Sequence, residues 1–68
     1  MNSRKNLLRH WEDLFHRAGV DSPRLSAQVL LAHVLNVPRL DMLLDPTAVV
    51  SGPDAGKMEK LGLRRLNG

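Results

Sequence analysis

The sequence predicts an all-α fold, a small bundle of about four helices with the third one short. Three observations carry this. Apolar residues recur at three- and four-residue spacing along most of the chain, and no stretch alternates apolar and polar residues as a half-buried strand does. Gly19, Asn36 and Pro46 fall where those periodic stretches end, and each residue type suits a helix exit. The length of 68 residues leaves room for one domain and for no second, α/β layer.

The first helix is expected over Ser3 to Ala18. Leu7, Leu8, Trp11, Leu14, Phe15 and Ala18 fall in one arc of roughly 120° at 100° per residue. Arg9, Asp13 and Arg17, spaced i, i+4, i+8 on the other side, can pair along the surface. Gly19 supplies a left-handed end. The second helix opens at Asp21-Ser22-Pro23, with Ser22 as N-cap and Pro23 at a first helical position where its missing N–H costs nothing. It runs to Leu35, with Asn36 as a left-handed exit. Ala27, Leu30, Leu31, Val34 and Leu35 make one apolar face; Leu25, Val29 and Ala32 make another. A helix apolar nearly all round reads as the buried central one.

A short third helix follows Pro38, with Leu40, Met42, Leu43 and Leu44 on its apolar side, and Pro46 stops it. After a loop over Pro46–Val50, Ser51 and Asp54 have the spacing of a capping box for a fourth helix reaching Leu66. Gly56 and Gly62 lie inside that helix, each costing about 1 kcal/mol relative to alanine, so it should fray. The chain stops directly after it, as one divided at a domain edge would.

Composition narrows the function. With no cysteine, disulfides and thiolate zinc sites are excluded, which fits a reducing cytoplasm. The longest apolar run is far shorter than the roughly 20 residues that span a bilayer. Met1-Asn2-Ser3-Arg4-Lys5 is basic, but no apolar stretch of a signal peptide follows it. The net charge of +3 suits a mildly basic surface facing an acidic protein or RNA, without the dense Lys/Arg clustering of a nucleic-acid binder. The two aromatics, Trp11 and Phe15, both fall on a core face and offer no base-stacking platform.

Four chemical readings fail on spacing, on charge or on local structure. Glu12 and His16 are four residues apart with His10 nearby, but His33 is on another helix and no third ligand joins them; the histidines read as two on the surface and one half-buried. Asp21-Ser22 has the look of a carrier protein's phosphopantetheine serine, but those proteins are acidic and Pro23 makes Ser22 a cap. Gly52-Pro53-Asp54-Ala55-Gly56 lacks both the spacing of a phosphate loop and a preceding strand. A helix-turn-helix would use Arg39–Asp45 for recognition, and Asp41 and Asp45 would repel phosphate. No catalytic, cofactor or metal residue is therefore assigned. What remains is a basic strip: Lys57, Lys60 and Arg64 lie within about 60° of arc on the fourth helix, followed by Arg65. Late basic residues complement the helix dipole in any case; as a function, the strip would dock an acidic partner.

The whole chain resembles the N-terminal domain of the HemK (PrmC) family of peptide-chain-release-factor glutamine N5-methyltransferases. The resemblance is strongest over Ala18-Gly19-Val20-Asp21-Ser22-Pro23-Arg24-Leu25, followed by Ala27 and by Val29-Leu30-Leu31-Ala32-His33-Val34-Leu35. It continues through Met42-Leu43-Leu44, the proline loop, and Arg64-Arg65-Leu66-Asn67-Gly68. The chain departs from the pattern where Ser26 and Gln28 replace usual acids, where Pro53 comes one position late, and at Gly56 and Gly62.

The resemblance implies that residues 1–68 are a single N-terminal substrate-recognition domain whose catalytic methyltransferase domain is absent from this chain. It implies a parent enzyme that methylates the glutamine of a release factor's Gly-Gly-Gln loop, using S-adenosylmethionine, in the cytoplasm. The expected partners are the release factor and the parent's own catalytic domain, with no membrane and no nucleic acid. Neither the cofactor's glycine loop nor the family's Asn-Pro-Pro-Tyr motif occurs in the sequence, so the fragment alone is not expected to be an enzyme. The partner-binding candidates stay Lys57, Lys60 and Arg64. The alternative is a free-standing helical nucleic-acid-binding or interaction module.

Overall fold

The computed structural model describes residues 2–67, and its helices are α1 (Arg4–Arg17), α2 (Pro23–Leu35), α3 (Arg39–Leu44) and α4 (Gly52–Leu66). Met1, in the basic N-terminal stretch, and Gly68, which closes the Arg-Arg-Leu-Asn-Gly stretch, lie outside the described residues. The all-α, four-helix expectation holds, and α3 is the short helix at 6 residues. Among the described residues the sole β feature is one isolated antiparallel bridge, Ser3 with Val49.

The helix ends follow from local chemistry. Ser3 caps α1, its Oγ accepting from the Asn6 amide at 3.1 Å. The loop supplies two more acceptors: the Arg4 amide donates to the Ala48 carbonyl at 2.9 Å and the Lys5 amide to Pro46 at 2.8 Å. Three amides that a helix start leaves unpaired are thus satisfied. At the other end Gly19 takes φ +75°, so that the Val20 amide reaches the Phe15 carbonyl and the Gly19 amide that of His16. Asn36, at φ 56°, closes α2 the same way, with the Val37 amide on Ala32 and the Asn36 amide on His33. Both are Schellman endings, and Val20 and Val37 pack on the core just beyond them.

Ser22 corrects the sequence reading. It stands at the cap position of α2, but its backbone is left-handed (φ 50°, ψ 61°) and its side chain makes no capping bond. A capping hydroxyl needs an extended backbone to lie over the next amides, and this backbone turns it away. The local bonds here are the Ser26 Oγ to the Asp21 carbonyl and the Ser26 amide to the Ser22 carbonyl. Ser51 does cap α4, accepting from the Asp54 amide at 3.3 Å. Among the described residues the reciprocal half of the box is missing, as the short aspartate side chain explains.

α2 packs against all three other helices, as a central helix must. Leu7, Trp11 and Phe15 from α1, Ala27, Leu31 and Ala32 from α2, Met42 from α3 and Met58 from α4 make the core, joined by Val50 from the loop. The radius of gyration of 10.9 Å matches the roughly 11 Å of a compact chain this long. Three expectations change. Ala18 is exposed rather than part of the α1 core face. The second face of α2 is not buried: Leu25 and Val29 are exposed, and only Ala32 is covered. On α3 only Met42 goes inside, while Leu40, Leu43 and Leu44 face solvent. Two elements that meet along one seam leave their far sides uncovered, which a periodicity pattern cannot register.

Gly62 is the other correction. It is buried against the Trp11 ring, and a Cβ there would stand 2.5 Å from Cε3, 2.6 Å from Cη2 and closer still to Cζ3. The missing side chain is the seat of the indole. Gly56, by contrast, has nothing within 4 Å of such a Cβ, and there the propensity cost stands alone.

Candidate partner-docking surfaces

α4 buries Met58 and Gly62, and its outer face carries Lys57, Lys60 and Arg64, all exposed. The helix period that puts Met58 and Gly62 inside turns these three cations to the opposite side. Arg65, the next residue, is exposed as well. Among the described residues none of the four joins an ion pair: the pairs present are Arg17–Asp13 at 3.2 Å and Arg24–Glu12 at 3.3 Å. The charge of the strip is therefore available to a partner. Both existing pairs are solvent-exposed and add little stability.

Sequence reasoning missed two further surfaces. Between α1 and α2 a cleft of about 270 Å³ has Leu8 and Pro46 among its lining, with Lys5, Arg9, Glu12, Arg24 and Gln28 around them. Glu12 is engaged by Arg24, leaving Lys5 and Arg9 without an ion-pair partner among the described residues. No spacing on one helix announces this, since the cleft exists only once two helices pack. Between α2 and α3 a groove of about 390 Å³ is lined by Val29, Ala32, Leu40 and Leu43 with Arg39. Its signal was present in the sequence as the second apolar face of α2 and was read as burial. Another groove, of about 700 Å³ between α1 and α4, runs past His10, Trp11, Leu14, Gly56, Glu59 and Leu63.

His10, His16 and His33 are all exposed, so none is the half-buried histidine expected. His10 stands edge-on to Trp11, with ring centroids 5.4 Å apart, and His33 is on α2. Among the described residues no three His, Asp or Glu side chains gather at metal-binding distance, and no charged side chain is buried. Gly52 opens α4 and Gly56 lies within it, and among the described residues no strand precedes them. Among the described residues no helix is long and apolar enough to cross a membrane.

Fold and surfaces together define a class, a small helical module with exposed charged and apolar faces. The chain belongs to the PrmC N-terminal domain family, whose model matches residues 6–68. It is 39% identical over 64 residues to a release factor glutamine methyltransferase of Nitratidesulfovibrio vulgaris, a match covering 94% of this chain and 22% of that protein. It is 46% identical over 50 residues to the enzyme of the same name from Aliivibrio fischeri, covering 74% of this chain and 18% of the relative. The corresponding enzyme of Vibrio cholerae is 42% identical over 52 residues, covering 76% and 18%. The chain thus spans about a fifth of the length of the curated relatives it matches. No solved structure matches it.

Proposed function

We propose that this chain is the substrate-recognition domain of an S-adenosylmethionine-dependent protein-glutamine N5-methyltransferase, and that it holds a release factor while the rest of the parent enzyme modifies the Gly-Gly-Gln glutamine. The observation that carries this reading is the family match over residues 6–68, with relatives named for release factor methylation. The charge pattern supports it. A module that must hold a much larger protein gains from long-range steering, and Lys57, Lys60 and Arg64 offer one exposed, unpaired strip. Cofactor binding and methyl transfer are assigned to the remainder of the parent enzyme, because this chain spans only about a fifth of the length of its relatives. Such an enzyme meets its substrate in the cytoplasm.

The test is association kinetics between the chain and immobilised release factor at two salt concentrations, beside a Lys57→Glu, Lys60→Glu, Arg64→Glu variant. Exposed charges are screened beyond about 8 Å at physiological ionic strength, so the wild-type on-rate should fall as salt rises, and the variant should associate more slowly at low salt. Equal on-rates would reduce the strip to solvated surface. A chain with no affinity for release factor would overturn the recognition role itself.

A further inference from the structure

Among the described residues seven large apolar side chains are exposed, and five of them share α2 and α3: Leu25 (45%), Val29 (51%), Leu40 (69%), Leu43 (40%) and Leu44 (74%). Val29 and Ala32 of α2 face Leu40 and Leu43 of α3 across the groove of about 390 Å³. Solitary exposed leucines such as Leu25 and Leu44 are ordinary, but apolar side chains that line one groove together offer a contact surface. Its lining carries a single charge, that of Arg39. Arg39 lines the groove, and the adjoining hollow adds His33, Asn36, Val37 and Pro38, with no carboxylate in either lining. Arg39 joins no ion pair among the described residues.

We infer that the α2/α3 groove is where the partner is gripped: it seats an apolar side chain of a release-factor segment, with a neighbouring carboxylate of that segment on Arg39. The inference rests on the release-factor reading above and adds the place and chemistry of the contact. The division of labour is physical. Exposed cations on α4 act at a distance and set the rate of encounter, whereas an apolar anchor that leaves water holds the complex and sets its lifetime. The groove matches the way an amphipathic segment lays apolar residues between two helices. A carboxylate beside the anchor is what the rim selects, since an acid finds Arg39 and meets no like charge in the lining.

Methyl-resolved NMR of the 68-residue chain, titrated with release factor, reads weak binding directly. The expected result is that the methyl signals of Val29, Leu40 and Leu43 move most. A Val29→Ser, Leu40→Ser variant should bind at least about tenfold more weakly, with its dissociation rate changed more than its association rate. Arg39→Glu should weaken binding as well, and Arg39→Lys should restore part of it. All three positions are exposed, and unchanged far-ultraviolet dichroism and thermal midpoint would show that the fold survives. Movement confined to the α4 strip, or wild-type affinity in the double-serine variant, would overturn the groove and leave the release-factor reading standing. Absence of any binding by the wild-type chain would overturn that reading, and the groove's partner with it. Two other results overturn the groove assignment alone: signals of Val29 and Leu40 that shift with chain concentration before release factor is added, which would seat a second copy there, and protection of the groove in the free parent enzyme, which would seat the rest of its own chain.

Discussion

At the scale of single residues, the two interior glycines of α4 have opposite meanings. Replacing Gly56 with alanine adds a methyl to open space and removes a propensity cost of about 1 kcal/mol. The thermal midpoint should rise by about 4–8 °C for a domain of this size. Gly62→Ala offers the same propensity gain but drives a methyl into the Trp11 ring, and overpacking of that kind costs about 1–3 kcal/mol. Its midpoint should be unchanged or lower. Thermal denaturation of the two variants side by side decides the matter: an equal rise in both would mean that Trp11 does not rest on Gly62.

At the scale of elements, packing points to α3 rather than α4 as the first helix to open. α4 was expected to fray because of its glycines, yet Met58 is fully buried and Trp11 rests on Gly62. α3 has 6 residues, buries only Met42, and is held chiefly by α2. A helix this short is unstable without tertiary contact. Native-state amide exchange should therefore be fastest, among the helices, over Arg39–Leu44. The Arg4 and Lys5 amides should be slow for a helix start, because the Pro46 and Ala48 carbonyls hold them. Faster exchange in α4 than in α3 would restore the view drawn from propensity alone.

At the scale of the whole molecule, stability rests on one small core threaded by α2. Folded domains hold about 0.05–0.15 kcal/mol per residue, which for 68 residues leaves only a few kcal/mol. Leu31 is fully buried on the helix that touches the other three. Leu31→Ala should cost about 2–5 kcal/mol, lowering the midpoint by at least about 10 °C or abolishing the cooperative transition. A near-native midpoint in calorimetry would place the centre of the core elsewhere.

The sequence by itself determined the helices, their order and most of their ends. Those depend on interactions within a few residues: the three- and four-residue apolar repeat, left-handed Gly19 and Asn36, the Ser51 hydroxyl on its own helix start. It also determined that Lys57, Lys60 and Arg64 share a face, since one helix period sets that spacing. Only the tertiary structure decided which apolar faces find a neighbour. Val29 and Leu40 read as core because periodicity registers an apolar face without saying whether another element covers it. Ser22 read as a side-chain cap because residue type does not show the left-handed backbone that turns its hydroxyl away. Gly62 read as a flaw because its partner, Trp11, lies 51 positions earlier in the chain. The Lys5, Arg9 and Arg24 cleft and the apolar groove beside Arg39 arise between helices, and the packing that forms them is written in no local stretch of sequence.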